Sequence, residues 1–574
     1  MNRWTMALLM TAACDSGVDF STCEELTDAQ FVGGLVLEEG SCWRVEEPLN
    51  LSDGTVTIEP GVSIGIAADL GVRVQPGGML RMAGTEEEPV TWTTGDPLIG
   101  WTGIQVLGAG SDNAWEHATI EYAGSDRWNG ATWSAGAVFL DGNASLTLEN
   151  VTIRGSAGHG LIATSDVQLA TQNLVFEAND TPAFVHPDVA GNLTASFIEN
   201  TNPYVRVGFS NNDVVIQDQT WAALGVPWRI EDRFYVEGAM ALEPGTTLEF
   251  SQGASLRIQT GGSLDAQGTE TNPIVFRGTS SMRGFWQGIA VASDGGAIGA
   301  GIVLQHAEIA DAGSDDWNGR NGTSAALWLN SASTASVTQT TFRRHDRYGV
   351  WASDEASLAR FGDNRFVDGG RAMFLHPDRV GELDGTSVIE ENDLNRIDVV
   401  HGNTDSVTFD ATWRDLGVPY AIRDRFYIEA DVTIEPGVVI EVQQDTSIIV
   451  DDDGRFDAMG TADRPVTVQG AEERTGGFWT GIQFAGGALS TLNHTVLRDT
   501  GANRFTGDGE SAAALFLTAI ANVSLNDVTI GPGGGYGIYL ADEDSALSCG
   551  QVGFSNLDAG AVYDRATGAV LPGC

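Results

Sequence analysis

AVFLDGNASLTLENVTIRGS (137–156) is followed by GLIATSDVQLATQNLVFEAN (160–179) and AFVHPDVAGNLTASFIENTN (183–202). Apolar residues align with apolar residues. Val138, Leu161 and Phe184 correspond at steps of 23 and 23, and Ile153, Phe176 and Ile198 at steps of 23 and 22. Inside each segment, short β-rich runs alternate apolar and polar residues, and Gly, Asn, Asp and Ser interrupt them. That is strand and turn punctuation with no sustained helical period. A unit of about 23 residues with two or three short strands cannot bury its apolar face alone. Stacking successive units gives every strand a parallel neighbour and closes a core. The expected fold class is all-β: a parallel β-helix solenoid with coils of about 23 residues.

The same short period returns at Leu327, Val350 and Met373, and at Leu515, Ile538 and Ala561. A longer period encloses it. VTIEPGVSI (56–64), MALEPGTTL (240–248) and VTIEPGVVI (432–440) place Glu59, Glu243 and Glu435 at spacings of 184 and 192. GTEEEPVTW, GTETNPIVF and GTADRPVTV follow, then W-x-G-I at Trp101, Trp286 and Trp479. The joints TWAALGVPWRIEDRFYVE (220–237) and TWRDLGVPYAIRDRFYIE (412–429) also match. Three tandem modules result: 43–227, 228–419 and a truncated 420–574 with a C-terminal cap. Residues 1–13 read as a signal peptide, and 14–42 as an anchor linker and N-terminal cap.

Over roughly 43–565 the pattern resembles the right-handed parallel β-helix of pectin-lyase-like proteins. The EPG, GT…P and W-x-G-I phrases resemble those of bacterial right-handed β-helix repeat surface proteins, which are often lipoproteins. That resemblance implies a fold and a location rather than a chemistry. Leucine-rich repeats fit poorly because the LxxLxLxxN/C spacing is absent, and a β-propeller is the alternative architecture.

Asp and Glu number 78 against 30 basic residues, all Arg, and the net charge is -48. Such a surface opposes binding to nucleic acid or anionic lipid and suits divalent cations. No apolar run is long enough to span a bilayer. MNRWTMALLMTAACDSG (1–17) has one Arg, a short apolar stretch and small residues before Cys14. It resembles a bacterial lipoprotein signal peptide. Ala12 and Ala13 fit the lipobox, while Thr11 stands where Leu is usual. The resemblance implies lipidation of Cys14, hence export to an outer membrane or cell surface; a periplasmic or secreted protein is the alternative.

Four cysteines remain, Cys23, Cys42, Cys549 and Cys574, and they allow three disulfide pairings. In a continuous stack of some 20 coils the ends would lie on the order of 100 Å apart at about 4.8 Å per coil. Disulfide geometry needs Cα atoms within about 7 Å. The local pairings Cys23–Cys42 and Cys549–Cys574 are therefore expected, in an oxidising compartment.

HATIEYAGSDRWNG (117–130) recurs as HAEIADAGSDDWNG (306–319) and, faded, as HTVLRDTGANRFTG (494–507). His117, His306 and His494 are 189 and 188 residues apart. Eight stacked coils separate such equivalents by roughly 40 Å, so they share no site. A scaffold strand and a Gly-closed loop with a packed aromatic are expected. Asp315, Asp316 and Asn318 are Ca²⁺ candidates, as are Asp451, Asp452 and Asp453 in the unrepeated DDDG turn. His186 with Asp188, and His376 with Asp378, recur at one place in the unit and read as turns fixed by Pro. Asn150, Asn173 and Asn526 read as stacked turn amides.

The basic cluster RRHDR (343–347) is confined to the second module. Arg343, Arg344 and Arg347, with Asp346 and Asp368, are the only candidates for catalysis, in the manner of β-helix polysaccharide lyases that pair Ca²⁺ with a basic residue. No P-loop, GxGxxG, GxSxG or HExxH occurs. The expected function is non-catalytic: a lipid-anchored surface β-helix for adhesion or for glycan or matrix binding. It needs no cofactor and contacts the membrane only through its lipid. The alternative is a Ca²⁺-dependent polysaccharide lyase or hydrolase on the same scaffold.

Overall fold

The computed structural model describes residues 19–108, 112–209, 212–292, 300–319, 322–400, 405–471, 476–506 and 511–574. Cys14 and the signal segment lie outside them. The chain divides into two compact units, Met1–Arg206 and Val207–Cys574.

Each unit is built from parallel strands that recur in a fixed order around a coil. In the first unit, an eight-stranded sheet runs from Glu24–Glu25 to Ala195–Ile198, and a six-stranded one from Val36–Leu37 to Gln168–Gln172. A third face includes Gly103–Leu107, Gly136–Asp141, His159–Ala163 and Thr181–Val185. In the second unit, one sheet of 14 strands runs from Asn212–Val215 to Val552–Phe554. New sheets begin again at Asp405–Val407 and Ala411–Trp413, beside the second joint of the sequence modules. Among the described strands the pairing is parallel throughout, except where Ala569–Leu571 lies antiparallel on Gly560–Asp564. The all-β parallel solenoid is therefore the architecture of this chain. No helix among the described residues is long and apolar enough to cross a membrane.

Inward residues stack by identity of position. Val138 pairs with Leu161, Leu327 with Val350 and Val350 with Met373, and all are fully buried. Burying each such side chain contributes roughly 2 kcal/mol. Three expected correspondences slip by one. Leu161 pairs with Ala183, not Phe184, because three turn residues (178–180) replace four (155–158). Phe176 pairs with Phe197, which leaves Ile198 outward and 45% exposed. Ile538 pairs with Val562, not Ala561, because five residues (541–545) replace four (518–521). Strand side chains alternate faces, so one residue decides between core and surface.

The repeated phrases are corners and plugs. The W-x-G-I tryptophans are fully buried. Their indole N–H groups donate to the carbonyls of Glu121 (2.7 Å), Ala310 (2.7 Å) and Arg498 (2.8 Å). The following glycines, Gly103, Gly288 and Gly481, have φ of 123°, 119° and 132°. A Cβ there would sit 2.4, 2.7 or 2.3 Å from a carbonyl of the next coil. Only glycine combines that backbone with that approach. Disulfides join Cys23 to Cys42 and Cys549 to Cys574, the local pairings.

Candidate functional site

His117, His306 and His494 are each the single residue between two strands of a coil. Their φ values are 44°, 43° and 41°, the left-handed region that ordinary residues enter only singly. Each histidine carbonyl accepts the amide of Val90 (3.0 Å), Ile274 (3.2 Å) or Val466 (3.1 Å). The glycine of each G-T phrase packs against that carbonyl: a Cβ on Gly84, Gly268 or Gly460 would lie 2.2, 2.5 or 2.3 Å from it. Asn150 and Asn173 take the same corner in the next two coils, at φ 53° and 52°. The Asn150 amide reaches His117 Nε2 at 3.3 Å, and the Asn173 amide donates to Asn150 Oδ1 at 2.9 Å. His117 is thus the first rung of a side-chain ladder. In the third module the corner residue is Asp527 (φ 53°), with its carboxylate 3.7 Å from His494 Nε2. Asn526 ends the preceding strand instead.

The loop after each corner folds back over an outer sheet face. Trp128 and Trp317 are buried there, with their indole N–H groups on the carbonyls of Gly136 (3.1 Å) and Ala325 (3.0 Å). Arg73 and Arg257 lie over these rings at 5.9 and 5.1 Å, which is cation–π distance. Beneath the loops run outward-facing ladders. Trp328, Trp351 and Phe374 are in register, with centroids 5.8 and 5.4 Å apart. Phe516, Tyr539 and Tyr563 repeat the arrangement at 5.2 and 5.0 Å. In the first unit Trp133 packs on Phe139 and Phe184, each at 6.1 Å. Clefts open beside these loops. One of about 570 Å³ is lined by Asp126, Arg127, His159 and Asp180. Another, of about 640 Å³, is lined by Arg425, Asp445, Gln483, Asn503, Arg504 and Phe505.

The candidate catalytic cluster is dispersed among separate partners. Arg343 pairs with Glu308 (3.0 Å), and Arg344 with Asp311 (2.6 Å). Arg347 lies 5.5 Å over the Tyr348 ring. Asp368 accepts from Arg283 at 3.2 Å, and the same guanidinium grips both oxygens of Asp393. No described hydrogen bond or ion pair joins Asp346 to this group.

The Ca²⁺ candidates are placed as follows. Asp316 Oδ1 accepts the amides of Gly322 (3.0 Å), Thr323 (2.9 Å) and Ser324 (3.0 Å), which closes its loop. Asn318 accepts from the Thr323 hydroxyl at 3.1 Å, and Asp315 is exposed. Asp451 accepts the amide of Asp452 at 3.0 Å, while Asp452 and Asp453 are exposed. Among the described residues no group of three or more His, Cys, Asp or Glu could hold a metal ion. His186 and His376 accept the amides of Asp188 and Asp378, each at 3.3 Å, and so start the turns that Pro187 and Pro377 enter.

Sequence reasoning missed a buried charge network and two histidines held neutral by burial. Asp398 is fully buried and pairs with Arg371 (3.4 Å), Arg396 (2.9 Å) and Arg423 (2.9 Å) while accepting the Tyr348 hydroxyl at 2.8 Å. Burial pushes that hydroxyl above its ordinary range, and the Asp398 charge adds to the shift, so it remains a donor. His345, from RRHDR, is fully buried, and its Nε2 donates to the Arg371 carbonyl at 2.9 Å. Burial lowers its pKa to about 4, against the raising effects of that bond and of Asp368 and Asp393; Arg283 lowers it further. His159 is held at about 4 by burial and by Arg206.

These histidines set an acid limit. Both are neutral in the fold, whereas unfolded histidine titrates near 6.5. Between pH 6.5 and about 4 the unfolded chain binds more protons. Stability is therefore complete above about 6.5 and falls as the pH drops toward 4. His345→Gln keeps a donor for the Arg371 carbonyl and removes the titration. A flatter dependence of melting temperature on pH in this variant is expected. An unchanged slope would exclude His345 as its source.

Compared with known proteins, the chain matches no family model, no curated protein and no solved structure.

Proposed function

We propose that the chain is a non-catalytic, lipid-anchored surface β-helix that binds glycans through the clefts beside its repeated loops. The supporting observation is that clefts open beside the same repeated loop in the first and third modules, each lined by Arg and hydroxyl groups, with Phe505, Gln483 and Asn503 added in the third. Binding modules reuse a surface by repetition, while catalysis needs one convergent acid–base set. The candidate arginines Arg343 and Arg344 are engaged by Glu308 and Asp311. Aromatic faces with a few oriented polar groups suit the alternation of C–H faces and hydroxyls on a sugar ring. The lipid on Cys14 supplies the membrane contact that the net charge of -48 opposes.

The test is a glycan array probed with the protein in Ca²⁺ and in chelator, with cleavage products assayed on the same glycans. Retention of a defined glycan set in both conditions, without new reducing ends or unsaturated products, is expected. Cleavage that disappears when Arg343, Arg344 and Arg347 are all changed to Ala would replace this reading with the lyase one. In cells, Cys14→Ser is expected to shift the protein from the membrane to the soluble fraction. Unchanged partitioning without lipid mass at the N-terminus would remove the anchor from the proposal.

A further inference from the structure

The cleft of the third module differs from its equivalents in what fills it. Arg73 over Trp128 and Arg257 over Trp317 occupy the first two modules. At the matching positions the third carries Ile449 and Phe505, two smaller side chains. Phe505 stacks on Phe516, with centroids 4.9 Å apart and planes 22° apart. A cleft of about 640 Å³ is lined by Ile449 and Phe505. That volume is in the range that holds a small ligand.

Its charge is also unusual. Arg425 and Arg504 line the cleft, and among the described residues neither guanidinium has an ion pair or hydrogen bond. Among the described residues of the lining the only carboxylate, Asp445, already accepts the Asn503 amide at 3.0 Å. Two Arg and one Asp leave the described lining at +1, in a chain whose net charge is -48. The distant acidic surface is screened over about 8 Å at physiological salt, so a ligand inside responds to the nearby pair. Guanidinium forks match carboxylate and sulfate oxygens in two-point contacts. Gln483 and Thr480 add neutral polar groups, and the edges of Ile449 and Phe505 are apolar.

We infer that this cleft takes an anionic sugar unit, its ring against Phe505 and Ile449 and its carboxylate or sulfate ester between Arg425 and Arg504. The inference rests on the glycan-binding reading and adds the charge that selects the ligand. The shared chemistry is an oxyanion carried on a pyranose ring.

The test uses the full chain and sugars matched except at C6: glucuronate, glucose 6-sulfate and glucose, with the corresponding galactose series. Ligand-observed NMR titration should show an acidic sugar binding about tenfold or more tightly than its neutral partner, with the gap narrowing in high salt. Arg425→Ala and Arg504→Ala should each weaken it about tenfold. The double variant Ile449→Arg with Phe505→Trp, which restores the pair of the second module, should abolish it with the melting temperature unchanged. Whether the uronate or the sulfate binds identifies the anion. Equal binding of acidic and neutral sugars, or acidic binding indifferent to all three variants, overturns the inference. Failure of every acidic sugar also overturns it. A positive glycan array beside any of these results leaves the broader glycan reading standing, and a blank array removes both.

Discussion

Asp398→Ala is expected to destabilise the second unit by about 3–5 kcal/mol, the cost of removing one partner from a buried charge network. Three guanidiniums, those of Arg371, Arg396 and Arg423, converge on this one fully buried carboxylate. With Asp398 the group carries +2, and without it +3, at side chains only 17–31% exposed. The Tyr348 hydroxyl also loses its acceptor. Partial access to water lets the arginines rehydrate, which puts the loss toward the lower end of that range. Hydrogen exchange should accelerate first in the neighbouring strands Arg371–Leu375, Leu394–Val399 and Tyr420–Ile422. Asp398→Asn keeps one acceptor oxygen and should lose less. Native protection of these strands in Asp398→Ala would show that the arginines do not depend on the carboxylate.

Repetition in the sequence foretells the stack of coils but not this network. The 23-residue step places Val138 on Leu161 because an inward side chain recurs at every coil. Turn length breaks the rule locally: one residue fewer before Thr181 turns Phe184 from core to outer face. The outer aromatic ladders did leave a signal. Segments such as ALWL (326–329) and GVWA (349–352) are continuously apolar, as in strands covered on both faces. Alternation describes only a half-exposed strand, so the repeats point to the Gly-closed loop with its packed aromatic but not to the ladder beneath it. Pairs such as Arg283 with Asp368 and Asp393, 85 and 110 residues apart, carry no local pattern at all. They arise because the segment between Gly278 and Gly288 passes the intervening coils and reaches turns three and four strands further along the sheet. The site is legible to the same degree: the repeated loop is plain in the sequence, while the cleft beside it depends on Ile449 and Phe505, from different coils, lining one space.

Removing the disulfide between Cys549 and Cys574, by changing both to Ser, is expected to cost roughly 3 kcal/mol by loop entropy and to open one sheet edge. The bond closes a separation of 25 residues. Inside that loop, Ala569–Leu571 lies antiparallel on Gly560–Asp564, the last parallel strand of its sheet. Three residues make a weak strand, and Val570 and Leu571 are 54% and 39% exposed, so burial contributes little to holding it. Without the covalent tether, loss of the strand would leave the hydrogen-bonding edge of Gly560–Asp564 open to a second chain. The variant should therefore associate as its concentration rises, seen by analytical ultracentrifugation. Amides of 560–564 should exchange before those of Gly481–Phe484, deeper in the same sheet. The Cys23–Cys42 bond, with a separation of 19, should protect the first strands of the other unit in the same way. A double Ser variant that stays monomeric with 560–564 protected would mean that the antiparallel strand holds by its own hydrogen bonds, and the disulfide would lose its role as the clasp of that edge.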